Sequence, residues 1–507
     1  MDFSLLFWAF TEILKPINLL IIVASVTMGI TIGALPGLTV TMGVALLLPL
    51  TFNFPTVQSF LALMGIYCGG VYGGSISAIL MGIPGTPAAA ATIFDGHALA
   101  KKGFAGQALG LACIASSIAG LISALIMTFL SPQVARIALM FGPVEYFGIA
   151  FFALSILVIL SGKSLLKGFT SILLGFLCTT IGIEPILGGP RFTFGFEALS
   201  AGLGLIPVAI GLFGLAQIFD DFIAFYQSPI KKGRQVIKNI LPRWNVMKKI
   251  SRTLLKSTFI GVGIGIIPGI GPETASFVAY AEAKRSSKNP ELFGTGVIEG
   301  VVAPESGNNG VTGGAMVPMM TLGIPGDAPT AILLGGFLLH GLPVGPMLFR
   351  DHLNIVYPIF GGFIVANILM GIIGISLARF FARVMDVPQS ILMPIICVLC
   401  FIGSYATRLS LLDVGISVFF GIVGFFLRRY DFPLSPMLVS IILAPMLEMN
   451  MANALTIGNG SFWVFFSTPI GATFIILGII FLIFIIVGRV RKKEISSSKP
   501  GNKESIL

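Results

Sequence analysis

Long apolar runs separated by short breaks dominate the chain. Residues 353–378, 409–427 and 462–488 each hold a run long enough to cross the roughly 30 Å hydrocarbon core of a bilayer as a helix. Similar runs occupy 104–130, 144–161, 165–183, 200–222, 389–405 and 434–452. A membrane-spanning barrel would instead show short segments of alternating polarity. The pattern predicts an all-α polytopic membrane protein with about 11–13 membrane segments.

Four runs are interrupted by Pro-Gly. GALPGL stands at 33–38 and MGIPGT at 81–86, and then GIIPGI at 265–270 and LGIPGD at 322–327. Around the later member of each pair the match widens. YGGSISAILMGIPGTP (72–87) resembles TGGAMVPMMTLGIPGDAP (312–329), with one residue inserted ahead of the second break. Internal duplication of this kind is common in secondary transporters. It divides the chain into a first repeat (1–225), a basic linker (226–252), a second repeat with an extra C-terminal helix (253–488) and a basic tail (489–507).

Charge sets the direction of each repeat. The linker carries Lys231, Lys232, Arg234, Lys238, Arg243, Lys248, Lys249 and Arg252 with no acid, and the tail carries Arg491, Lys492, Lys493, Lys499 and Lys503. Basic loops mark the cytoplasmic side of a membrane protein. TFNFPT (51–56), after the first break, has no charge, whereas its counterpart EAKRSSKNPE (282–291) is basic at Lys284, Arg285 and Lys288. Lys101 and Lys102 follow the second break, and the only base after its partner, Arg350, is followed by Asp351. Equivalent loops differ in charge, so the repeats are expected to be inverted, with 226–252, 284–292 and the C-terminus cytoplasmic and 51–57 and 184–198 outside. Residues 253–283 lie between two basic loops, and are either a re-entrant hairpin with Pro268-Gly269 at its apex or one kinked crossing. The same choice holds for 17–51 around Pro36-Gly37.

Composition agrees with a membrane setting: 55% of the 507 residues are hydrophobic and 10% are charged, where soluble domains carry about 25% charged residues. The formal net charge of +10 is gathered in loops and tail, which argues against a nucleic-acid partner. The opening MDFSLLFWAFTEILKP is acidic and lacks a cleavage site, so no removable signal is expected. Cys68, Cys113, Cys178, Cys397 and Cys400 lie in apolar stretches and are expected to pack rather than to form redox or metal pairs. His97, His340 and His352 are dispersed, and no metal cluster is expected.

Proline removes a backbone donor and glycine weakens the helix around it. Groups freed this way cannot face lipid and must meet protein or a water-filled cavity. A helix restarting after Pro-Gly aims unpaired N–H groups and a positive dipole end into that cavity. A midplane anion site is therefore expected at Gly37, Gly85, Gly269 and Gly326, with donors from Thr39, Thr86, Thr274, Ser276, Asn308 and Asn309. The helices ending at Pro36, Pro84, Pro268 and Pro325 offer carbonyls to a coupling cation, Na⁺ or H⁺, together with Glu273 and Asp327. Glu299 and Glu305 are either functional acids within the membrane or solvated loop ends. No Lys or Arg falls centrally in a predicted span, so the anion's charge is expected to be met by helix ends, neutral donors and a bound cation.

These stretches resemble a known family. GALPGLTVTMG, YGGSISAILMGIPGTPAAAATIFDGHALAKKG, GIIPGIGPETASF and APESGNNGVTGGAMVPMMTLGIPGDAPTAILLGGFLLHGLPVGP look like the large membrane subunit of tripartite tricarboxylate transporters, the TctA family. The likeness covers nearly the whole chain. It implies cation-driven uptake of small carboxylates such as citrate through the inner membrane of a prokaryote, without enzymatic chemistry or a cofactor. It also implies two partners, a small four-helix membrane subunit and an extracytoplasmic solute-binding protein. The competing reading is an intramembrane enzyme, such as a lipid-pyrophosphate phosphatase with re-entrant segments. That chemistry wants Arg, Ser, His and Glu concentrated near one face, and Arg is missing from all four breaks.

Overall fold

The computed structural model describes residues 3–160, 164–186, 188–227 and 237–497. Residues 228–236 of the linker and 498–507 of the tail lie outside them. The first half holds α1 (Phe3–Ile13), α2 (Pro16–Ala34), α3 (Val40–Leu50), α4 (Thr56–Met81), a 3₁₀ turn at Pro87–Ala89, α5 (Thr92–Leu99), α6 (Ala105–Ala138), α7 (Pro143–Leu160) and α8 (Leu165–Thr179). A small antiparallel pair, β1 (Gly182–Ile183) and β2 (Pro190–Arg191), follows with Gly182 opposite Arg191. α9 (Leu205–Ala209) then leads through a π-helical stretch, Ile210–Leu215, into α10 (Ala216–Gln227). The second half holds α11 (Trp244–Ile266), α12 (Gly271–Ser286), α13 (Glu299–Leu322), α14 (Ala328–Leu339), α15 (Pro346–Asp351) and α16 (Leu353–Ser376). It ends with α17 (Ala378–Val384), α18 (Gln389–Arg408), α19 (Leu411–Arg429), α20 (Leu434–Ile457) and α21 (Pro469–Ser497). Among the described residues, eight helices are long and apolar enough to cross a membrane, with shorter apolar helices including α3, α8 and α14 beside them. The protein is an all-α polytopic membrane protein.

Two helices form the axis of the bundle. Every residue from Ser59 to Leu80 of α4 is buried, and so is every residue from Gly300 to Thr321 of α13. Against α4 runs α2, in step: Gly65 meets Ser25 and Val26, Gly69 meets Val26 and Ile30, and Gly73 meets Ile30 and Gly33. A Cβ at Gly73 would lie 3.0 Å from Gly33 Cα, so main chains touch where side chains would normally stand. The same device joins α11 to α13. Gly261 meets Gly307 and Gly310, and Gly265 meets Val311 and Ala315, with 2.9 Å from a Cβ at Gly265 to Ala315 N. Small residues at such crossings gain close van der Waals packing where lipid removes the hydrophobic drive between helices.

The chain reverses after each early break. On α3, Val40 lies against Gly70 while Leu48 lies near Leu63 around Gly336, so α3 descends along α4 opposite to α2. Lys256 on α11 pairs with Glu282 on α12, which sets those arms side by side and antiparallel. Both 17–51 and 253–283 thus have the geometry of hairpins rather than of kinked single passes.

Two expectations change in detail. The span expected at 462–488 opens as a 3₁₀ turn, Phe462–Phe466, and becomes α-helical only from Pro469, where proline suits the first helical turn. The span expected to reach residue 183 stops at Thr179, ahead of the strand at Gly182. Of the two readings open for Glu299 and Glu305, the structure gives the helical one: both lie on α13, which continues through Pro304 and Pro318.

One carboxylate fastens the halves together. Asp95 on α5 is fully buried. It accepts from the backbone N–H of Gly294 (2.9 and 3.0 Å), Gly296 (2.7 Å) and Val297 (2.9 Å), and from Tyr280 Oη (2.9 Å). Removing the acceptor strands donors that cost about 1–3 kcal/mol each when buried unpaired. Asp95→Ala is expected to lower the unfolding free energy by roughly 3 kcal/mol or more, and Asp95→Asn by less, because the amide keeps one acceptor oxygen. Thermal unfolding of the purified protein in detergent measures both, and equal stability of Asp95→Ala and wild type would contradict this role.

Candidate functional site

Each Pro-Gly break ends one helix and starts another. α4 closes on Gly82 and α13 on Gly323, both in the left-handed conformation (φ 69° and 72°) that glycine adopts without a Cβ penalty. The restarts differ in their caps. Thr39 Oγ1 accepts from Met42 N at 3.1 Å and caps α3. Asp327 caps α14 through a reciprocal box: its carboxylate accepts from Thr330 N at 2.9 Å, while Asp327 N donates to Thr330 Oγ1 at 3.0 Å. Pro272 sits in the first turn of α12, and Pro87 opens the short turn behind Thr86.

All four restarts converge on one cavity of about 390 Å³. Its wall includes Thr39, Val40 and Thr41 from the first break, Thr86, Pro87 and Ala88 from the second, Gly269 to Thr274 from the third and Asp327 to Pro329 from the fourth. The start of each helix carries N–H groups without intrahelical partners, and several such ends around one volume suit an anion. Thr86 Oγ1 is buried against Gly74 of α4, with no hydrogen-bond partner among the described residues.

Of the residues expected from sequence to bind, Thr39, Thr86, Gly269 and Thr274 line the cavity, as do Glu273 and Asp327. The others form its frame, and Pro36, Pro84, Pro268, Pro325 and Gly37 shape the breaks without lining the volume. Ser276 Oγ donates to Glu273 O at 2.7 Å. Asn308 Nδ2 donates to Ala88 O at 3.3 Å, and Asn309 Nδ2 to Asn308 Oδ1 at 2.6 Å. Gly269 N donates to Gly326 O at 2.8 Å, tying the third break to the fourth. A Cβ at Gly85 would strike Gly33 O, and one at Gly326 would lie 2.5 Å from Gly265 O and 2.6 Å from Ala315 Cα. Asp327 also accepts from Tyr67 Oη at 2.7 Å, so its carboxylate is held by three groups of the protein.

Part of the wall was not legible in the sequence: Arg428, at the end of α19, and the segment 432–436 also line the cavity. Arg428 Nε pairs with Asp220 Oδ2 at 3.2 Å. The neighbouring Asp221 accepts from Gln217 Nε2 at 2.8 Å and presses on Gly37, where a Cβ would clash with its carboxylate. A basic side chain therefore does reach the cavity, contrary to the expectation of neutral donors alone. In the sequence Arg428 reads as a helix-end base, and nothing in its spacing ties it to the breaks. Arg remains missing from the four breaks themselves, and Arg428 is the one Arg among the described lining residues.

Comparison with known proteins follows the same residues. The Tripartite tricarboxylate transporter TctA family matches residues 19–439. An uncharacterized 52.8 kDa protein in the TAR-I ttuC' 3' region of Agrobacterium vitis is 34% identical over 485 residues, covering 96% of each chain. An uncharacterized protein in the TAR-II ttuC' 3' region of the same organism is 33% identical over 231 residues, 46% of this chain and 96% of its own. No solved structure matches.

Gly326 packs against Gly265 of the second hairpin and Ala315 of α13. Gly326→Val must displace Gly265 and Ala315, an overpacking that costs about 1–3 kcal/mol, and it moves the start of α14 at the cavity wall. The expected outcome is loss of transport with membrane insertion largely intact, measured as uptake against surface-normalised protein. Near-normal transport by Gly326→Val would leave the breaks as packing kinks.

Proposed function

Because the chain belongs to the tripartite tricarboxylate transporter TctA family, we propose that it is the membrane permease of a secondary transporter that imports small carboxylates. The observation that carries this reading is the convergence of four helix restarts and Arg428 on one cavity. Its volume of about 390 Å³ falls within the range of small-molecule sites. A carboxylate there would draw on the N-terminal N–H groups of α3, α12 and α14 and on the guanidinium of Arg428, whose planar fork matches a carboxylate.

The cavity also holds Glu273 and Asp327. One arginine, itself paired with Asp220, does not offset two acids and an incoming anion. A coupling cation, Na⁺ or H⁺, balances that charge, and substrate and cation then raise each other's affinity by the same factor. The matched breaks and the opposite charge of equivalent loops support inverted repeats that alternate access about the cavity, in a prokaryotic inner membrane with the C-terminus inside. A small four-helix membrane subunit and an extracytoplasmic solute-binding protein complete the system, the latter delivering scarce solute.

Two measurements test this. Arg428→Gln removes a charged hydrogen bond worth about 1.5–3 kcal/mol, so carboxylate binding to the purified complex is expected to weaken roughly ten- to hundredfold. Unchanged affinity, or affinity independent of both Na⁺ and pH in the wild type, would refute the charge scheme. In liposomes, the chain without a solute-binding protein is expected to take up labelled carboxylate poorly at micromolar concentration. Full saturable uptake by the chain alone would reject the tripartite reading.

A further inference from the structure

Among the described residues five carboxylates have little or no solvent exposure, and four of them, Asp95, Glu145, Asp327 and Asp413, accept from a backbone N–H or a guanidinium. Asp95 accepts from three backbone N–H groups, Asp413 pairs with Arg408, and Asp327 caps α14. Glu305 differs. It is fully buried at the second turn of α13, where Thr92 Oγ1 of α5 stands 2.5 Å from Oε1 and Ser116 Oγ of α6 stands 2.9 Å from Oε2. The Asn308 amide approaches as well. A backbone N–H or a guanidinium can only donate, and so serves only the carboxylate form. A hydroxyl donates or accepts, and so serves the acid equally well.

Among the described residues no cation compensates Glu305. The titratable side chains that face it are Tyr72 on α4 and Cys113 on α6, both buried. α5 turns Asp95 to the 294–297 loop and His97 to Ile79 O, and Lys101 and Lys102 are exposed beyond it. α11 and α12 present Thr258, Gly261, Ala275 and Ala279 to the adjoining turns of α13. On α13 itself, Glu299 pairs with Lys249. An ionised carboxylate so placed, with neutral partners only, is strongly disfavoured. The short separations to Thr92 and Ser116 also leave no space for a metal ion between the oxygens.

We propose that Glu305 is a proton-carrying site, loaded as the acid in this structure and discharged during the transport cycle. On discharge the O–H bond of the acid breaks, the proton passes to water reaching the site, and the electron pair stays on the carboxylate. Thr92 and Ser116 then turn their hydroxyl protons toward it. Communication with the cavity is short: Asn309 donates to Glu305 O at 3.1 Å, Asn308 accepts from Asn309, and Asn308 holds Ala88 at the cavity wall. The coupling role rests on the transport reading above; the bound proton does not.

Infrared spectroscopy of the purified full-length protein tests the proton directly. The carbonyl stretch of a protonated carboxyl is expected at neutral pH, shifted by deuteration, lost in Glu305→Gln and moved in frequency in Ser116→Ala. Isotope labelling of glutamate in the wild type needs no variant, and the absence of a label-sensitive acid band would overturn the proposal. In proteoliposomes holding the complete complex, Glu305→Gln is expected to lose the acceleration of uptake by an inward pH gradient, judged against its own rate of carboxylate exchange. A variant driven by the gradient as strongly as wild type, or wild-type uptake driven by Na⁺ alone at every pH, would overturn the coupling role. If the wild type moves no carboxylate at all, the transport reading fails while the spectroscopic result on Glu305 stands.

Discussion

Main chain released from a helix inside an apolar bundle must find partners, and that constraint organises the centre of this protein. Each Pro-Gly break frees N–H and C=O groups that lipid cannot satisfy. Some are returned to the protein: Gly269 N bonds to Gly326 O, and Gly85 N bonds to Gly74 O at 3.2 Å. Others are capped by Thr39 and Asp327. What remains points into one cavity. The glycines make this possible by letting a break press against a hairpin: Gly326 lies on Gly265, and Gly85 lies on Gly33.

The same contacts explain why α4 and α13 are buried along almost their whole length. Each carries a hairpin on a face of small residues, with α2 and α3 on α4 and α11 and α12 on α13. The hairpin tips reach the cavity, and Leu157, Phe213, Arg428 and the 432–436 segment line it as well. Side-chain locks such as Asp95 on the 294–297 loop and Arg408 on Asp413 tie neighbouring elements together.

Charge in the interior is handled case by case, and the partner decides the form. Asp95 and Asp413 meet backbone N–H groups or a guanidinium, which can only donate. Glu305 meets hydroxyls, which leave either protonation state satisfied. That distinction depends on donor chemistry rather than on burial, since Asp95, Asp413 and Glu305 are equally inaccessible to solvent.

Hydrophobic periodicity and length determined the all-helical membrane class, because helices that satisfy their own backbone are what long apolar runs can form in lipid. The repeated Pro-Gly breaks located the candidate site for a similar local reason: proline and glycine disturb a helix whatever surrounds it. Thr39, Thr86, Glu273, Thr274 and Asp327 follow the breaks directly and were legible as lining residues. Only the tertiary structure brought in Arg428, distant in sequence from every break, and turned Asn308, Asn309 and Ser276 from donors into frame. It also settled Glu305, for which the sequence allowed both a solvated end and a buried acid. Its surroundings come from α5 and α6, and no local pattern on α13 reports what two remote helices will place against it.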